Sequence, residues 1–159
     1  MNKSGLIRSI VASLTETLVN LDRAARASHA EATHESSKAE NKYDTRGLEA
    51  AYLAGGQARQ ARELADSIKL FETLPLKDFP KGAPIELSAL VELEVNDEKN
   101  YYFLGPRNGG LEFIHQKREI CVITPHSPLG SMLVGRCAGE SWTANSGATS
   151  TKYRILSVA

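Results

Sequence analysis

His115, Cys121, His126 and Cys137 are the side chains that could hold a metal ion, since thiolates and imidazoles are the usual ligands of zinc. Their spacings match no compact ligand pattern, and Cys121 sits among apolar residues. The cysteines are therefore expected as small buried hydrophobes in a reducing compartment. The run from Gly105 to Gly110 has the glycine content of a phosphate-cradling loop, but it lacks the lysine and helix that must follow one, so it reads as a turn. His126 and Ser127 are adjacent, which points their side chains apart, and no acid is placed to orient the imidazole. No nucleophile emerges, and the chain is not expected to be an enzyme.

A further polar concentration lies at Glu31, Glu35, Ser36, Ser37, Lys38, Ala39, Glu40, Asn41, Lys42, Tyr43 and Asp44. Taken alone, such a stretch is a solvated fold-back. The elements on either side give it interest. No glycine occurs between Gly5 and Gly47 and no proline before Pro75, so nothing breaks a long helix. Ile7, Val11, Leu14, Leu18, Leu21, Ala25, Ser28 and Ala32 recur at steps of four and three, the spacing of a coiled-coil seam. A second seam reads Leu48, Ala51, Gly55, Ala58, Ala61, Leu64, Ile68 and Phe71, and ends at the breaker Pro75. Two seams joined by a short connection predict an antiparallel helical hairpin over residues 1–74.

A turn near Ser36 and Ser37 makes the arms nearly equal, and Ser37 followed by Glu40 is a capping box at a helix start. The rival turn, at 41–47 with Asp44 as N-cap, stays open. Arms of ~35 residues would reach roughly 50 Å, more than a core of this size needs. Leucines sit near the base and small residues toward the turn, where Ala25, Ser28 and Ala32 are expected to face Tyr52 and Gly55. That describes a slender probe, although a hairpin used for dimerisation fits the same pattern.

Beyond a Pro75, Pro80 and Pro84 linker at 75–84, short β-branched and aromatic runs fall at 85–95, 99–104, 111–115 and 119–124. Asn96 with Asp97, and Gln116 with Lys117, separate them as turns. Ser127 and Pro128 open a brief helix, with Leu129, Met132 and Leu133 toward the core, before strands near 141–144 and 151–158. The fold class is α+β: a helical hairpin, then an antiparallel sheet domain at 85–159 with one short helix.

Bulk properties bound the function. The 159 residues carry 19 basic and 19 acidic side chains, so no global positive field draws the chain onto nucleic acid. With 42% hydrophobic residues and no apolar run near the ~18 residues of a membrane span, no membrane partner is expected. The amphipathic start does not have the pattern of a secretory signal, and the cytoplasm is the expected location.

The order Ile123, Thr124, Pro125, His126, Ser127, Pro128, Leu129, Gly130, then Met132, Leu133, Gly135 and Arg136, then Tyr153, Arg154 and Ile155, resembles the C-terminal domain of the bacterial transcript-cleavage factors GreA and GreB. Glu40, Asn41 and Tyr43 are similar to that family's Glu-Asn and Tyr at the start of its second helix. The resemblance implies an FKBP-like C-terminal domain and RNA polymerase as partner. The domain docks at the rim of the polymerase secondary channel, and the hairpin passes down it toward nascent, backtracked RNA. It implies no intrinsic cofactor and no small-molecule substrate; Mg²⁺ is supplied by the polymerase active site, the catalysis is the polymerase's, and DNA is met only through that complex.

On this resemblance the tip glutamate is Glu40 and its neighbour Asn41, while Ser37 stands where the family has aspartate. Glu35 and Asp44 are the acids able to substitute. Asn41 and Tyr43 at the tip, with Ser127, Pro128 and Leu129 in the C-terminal motif, are the implied binding residues. A relative that occupies the channel without stimulating cleavage is the alternative reading. An isomerase or chaperone is a second one, although Tyr101, Tyr102, Phe103, Phe113, Trp142 and Tyr153 outline no proline pocket. Trp142 and Tyr101 are expected in the core, or in a docking surface.

Overall fold

The computed structural model describes residues 2–33, 46–147 and 149–159. Helix α1 (Lys3–Thr33) starts where the Asn2 side chain accepts a hydrogen bond from the Gly5 amide at 3.1 Å, satisfying a donor that the first turn leaves orphaned. Ile7 and Leu14 are buried, and Val11, Leu18, Leu21 and Ala25 are half-buried, which is the expected seam. Ser28 and Ala32 have side chains outside the description.

Helix α2 (Arg46–Glu72) corrects the second seam. Gly55 and Ala58 are exposed, and the buried or half-buried stripe runs Ala54, Gln57, Ala61, Leu64, Ile68 and Phe71. The reason is geometric. The steps Gly55, Ala58, Ala61, Leu64 are all of three residues and drift about 180° around a helix of 3.6 residues per turn, whereas alternation of three and four from Ala54 stays on one side. Tyr52, expected to face the first helix, is 75% exposed.

Two compact units result: Val11–Lys69, and Met1–Ile10 together with Leu70–Ala159. In the second, Leu6, Ile10 and Phe71 are fully buried, and the Phe71 ring and Val122 lie so near Gly105 that a Cβ there would approach each to 3.0 Å. Ser9 Oγ meets His115 Nδ1 at 3.1 Å.

The sheet comprises β1 (Leu90–Val95), β2 (Glu98–Leu104), β3 (Glu112–His115), β4 (Arg118–Ile123), β5 (Ser141–Ser146) and β6 (Thr149–Val158), in the spatial order β3-β4-β2-β1-β6-β5. Asn96 and Asp97 (φ 48° and 68°) and Gln116 and Lys117 (φ 51° and 63°) make two-residue turns with both residues left-handed, the form that suits the twist of a hairpin. One pairing departs from the all-antiparallel expectation: β2 and β4 are parallel. The β3–β4 hairpin inserts β4 between β3 and β2, so β4 must run the same way as β2. The run at 85–95 is strand only from Leu90, because Ser88 takes φ 73°. Upstream of it Ile85 pairs instead with the helix exit, donating to Arg136 O at 2.8 Å and accepting from Gly135 N at 2.9 Å.

Helix α3 (Pro128–Leu133) covers one side of the sheet, where Ile85, Ala89, Val91, Leu93, Leu104, Ile123, Leu133 and Ile155 form the core. Among the described residues no helix is long and apolar enough to cross a membrane.

Candidate partner-binding site

Glu35, Glu40, Asn41, Tyr43 and Asp44, with Ser37 and the turn proposed beside it, lie outside the described residues. The helices bracket them: α1 is described to Thr33 and α2 from Arg46. Among the described residues no three or more of His, Cys, Asp and Glu come together as a metal-binding group. His115 contacts Ser9, His126 is exposed, and the Cys137 thiol reaches Gly82 O at 3.3 Å. Both cysteines are only half-buried; burial nonetheless raises the Cys121 thiol pKa above its usual value, and the Glu112 carboxylate adds to the shift.

The C-terminal motif is one connected piece of local structure. Ser127 is the N-cap of α3: its hydroxyl accepts from Gly130 N at 3.1 Å and donates to Thr124 O at 2.8 Å. Pro128 occupies the first helical turn, where its missing N–H costs nothing. Leu129 is half-buried against the core and Leu133 fully buried. Gly130 is compulsory, because a Cβ would stand 1.9 Å from the Thr124 carbonyl oxygen. The sequence signal for it was a glycine inside a helix so short that only close approach could justify it. Thus Ser127 and Leu129 hold the short helix on the sheet, while Pro128 is exposed at its start.

The helix exit builds a stack. Arg136 donates from Nε to Met132 O at 2.7 Å, pairs with Glu140 at 3.0 Å, and lies 4.4 Å above the Trp142 ring. Trp142 stacks in turn on Tyr153 at 5.1 Å with 9° between planes. Its indole nitrogen is buried with no hydrogen-bond partner among the described residues. Trp142 is therefore half-buried against the core, as expected, rather than free. Tyr101 is half-buried on the opposite side of the sheet, with its hydroxyl 3.4 Å from Glu92. A cavity of about 330 Å³ beside the stack is bordered by Glu94, Asp97, Trp142, Lys152 and Tyr153.

A helical pair followed by a six-stranded, mostly antiparallel sheet with one short helix defines the class of the chain. No protein-family model matches it, and no curated protein does. Solved structures similar to it include the GreA factor homolog 1 (Gfh1) of Thermus thermophilus, 17% identical over 94% of this chain and 94% of that one, with a TM-score of 0.38. Gfh1 of Thermus aquaticus is 19% identical over 99% and 96%, with a TM-score of 0.37. A transcription elongation factor GreA/GreB from Nitrosomonas europaea is 19% identical over 74% and 94%, with a TM-score of 0.36.

Proposed function

We propose that the chain is a Gre-like transcription factor, an accessory protein that binds RNA polymerase at its secondary channel and presents residues 34–45 toward the active centre. The observation that carries this reading is the placement of Glu35, Glu40 and Asp44 between helices of 31 and 27 residues, in a chain whose remainder carries the motif from Thr124 to Arg136. Helices of that length rise about 40 to 46 Å, enough to carry carboxylates deep into a partner. The C-terminal motif supports docking, because the capped α3 holds Pro128 at a fixed, exposed place.

In this reading the tip carboxylates, Glu40 first among them, would share the polymerase's own Mg²⁺ and orient a water for attack on backtracked RNA, with Asn41 a binding residue beside them. Ser37 in the family's aspartate position, with Lys38 and Lys42 beside the acids, favours a second reading in which the factor occupies the channel without stimulating cleavage. A stalled, backtracked complex separates the two. Shortened RNA that is lost with Glu40→Ala, binding being retained, supports cleavage. Unchanged RNA length with competition against an authentic cleavage factor supports occupancy alone, and no competition at all removes the channel assignment.

A further inference from the structure

Helix α3 is too short for the sheet it covers. Six residues rise about 9 Å, and Leu129 and Leu133 of the helix pack into one cluster with Leu93, Leu104 and Ile155. Side chains alternate along each strand, so the same face continues from Leu104 to Tyr102, Asn100 and Glu98 on β2, and from Ile123 to Cys121 and Glu119 on β4. The register of β3 then sets Glu112 beside Cys121 and Ile114 beside Glu119. This part of the face is uncovered. Tyr102 and Cys121 are half-buried at its inner margin, and Ile114 is 77% exposed, the most exposed large hydrophobic side chain among the described residues.

The shelf is acidic. Glu98, Glu112 and Glu119 are exposed on it. Burial raises the pKa of both Tyr102 and Cys121, and the Glu112 carboxylate adds to each shift, as negative charge close to the apolar groups must. Two cations that border the same concavity of about 460 Å³ belong to the other face: Lys99 lies 3.6 Å from Glu92, and Arg118 stands 4.8 Å from the Tyr101 ring. Lys117 remains at the turn. Ile114 stands on β3, an edge strand whose outer side has no neighbouring strand among the described residues and is open to a partner. A second copy is a poor candidate, since a two-fold interface would set the acids of one chain against the same acids of the other.

We infer that this shelf docks a basic amphipathic segment of a partner protein, seating one apolar side chain on Ile114, Tyr102 and Cys121 and pairing lysines or arginines with Glu112 and Glu119. The shelf stands at the β3–β4 turn end of the sheet, apart from the Ser127 and Pro128 motif, and its recognition does not depend on the transcription reading.

The test uses the full chain and a short synthetic peptide of alternating leucine and lysine, with a leucine and glutamate peptide as control. Alkylation by iodoacetamide reads the shelf through Cys121, and Cys137 serves as an internal reference. The basic peptide is expected to slow alkylation of Cys121 and leave Cys137 unchanged, while the acidic peptide does neither. Ile114→Glu, and separately Glu112→Lys with Glu119→Lys, should weaken that protection about tenfold, as removal of an interface anchor does. These positions are exposed, so folding is retained, which far-UV circular dichroism checks. Equal protection of both cysteines, protection that survives charge reversal, or protection that grows with protein concentration alone overturns the proposal.

Discussion

Gly130 and the pair Gly55 and Gly56 are the same residue type inside helices, under opposite constraints. At Gly130 an added methyl group would meet the Thr124 carbonyl at 1.9 Å, so the chain there is dictated by contact. At Gly55 and Gly56 no described atom beyond the chain neighbours and the helix's own backbone lies within 4 Å of the same added group, so packing does not require them. Each nevertheless costs helix propensity, about 0.8 to 1.0 kcal/mol relative to alanine. The sheet end of the molecule is therefore specified by steric exclusion, whereas this part of α2 is specified by something other than its own packing.

Substitution at these glycines tests that contrast. Gly130→Ala should cost about 3 kcal/mol or more in urea unfolding followed by far-UV ellipticity, because the clash is with backbone and not with a side-chain end that can turn away. A loss under about 1 kcal/mol would mean that the α3 junction yields, and the contrast would collapse. Gly55→Ala combined with Gly56→Ala should change stability in the opposite direction, adding up to about 2 kcal/mol to the helical transition. If the double variant instead loses stability, those glycines have contacts that the described residues do not account for.

Ser127→Ala should cost about 1 kcal/mol, and Ser127→Asp should recover only part of it, since an aspartate oxygen can accept from Gly130 N but cannot donate to Thr124 O. The smallest effect belongs to the surface of α1. Breaking the Asp22 and Arg26 pair, 2.8 Å apart but well exposed, should change stability by only about 0.3 kcal/mol and still less at high salt.

The turns and the short helix were legible in the sequence because each rests on local chemistry. Asn96 and Asp97 tolerate left-handed backbone, and Ser127 before Pro128 is a helix start whatever surrounds it. Long-range pairing was not legible. Nothing in the alternation of the 119–124 run says that β4 lies parallel to β2, and a single serine at 88 with positive φ shortens an apolar run that otherwise reads as one strand. Along α2, glycine and alanine look apolar on either side of the helix, so a seam drawn through Gly55 and Ala58 was as plausible by composition as the true one through Ala54 and Gln57. Of the candidate site, the Ser127, Pro128 and Leu129 motif was readable as local structure. The acidic shelf was not, because Ile114 is exposed only as a result of how little sheet a two-turn helix can roof.

The layered arrangement of Arg136, Trp142 and Tyr153 has a spectroscopic consequence. Trp142 is the chain's sole indole, and it belongs to the unit of Met1–Ile10 and Leu70–Ala159, in contact with a guanidinium and a phenol ring. Its emission thus senses melting of that unit, whereas circular dichroism is dominated by α1 and α2, most of whose residues lie in the unit of Val11–Lys69. Superimposable curves from the two signals would mark a single cooperative transition, and staggered midpoints would mark two independently melting bodies.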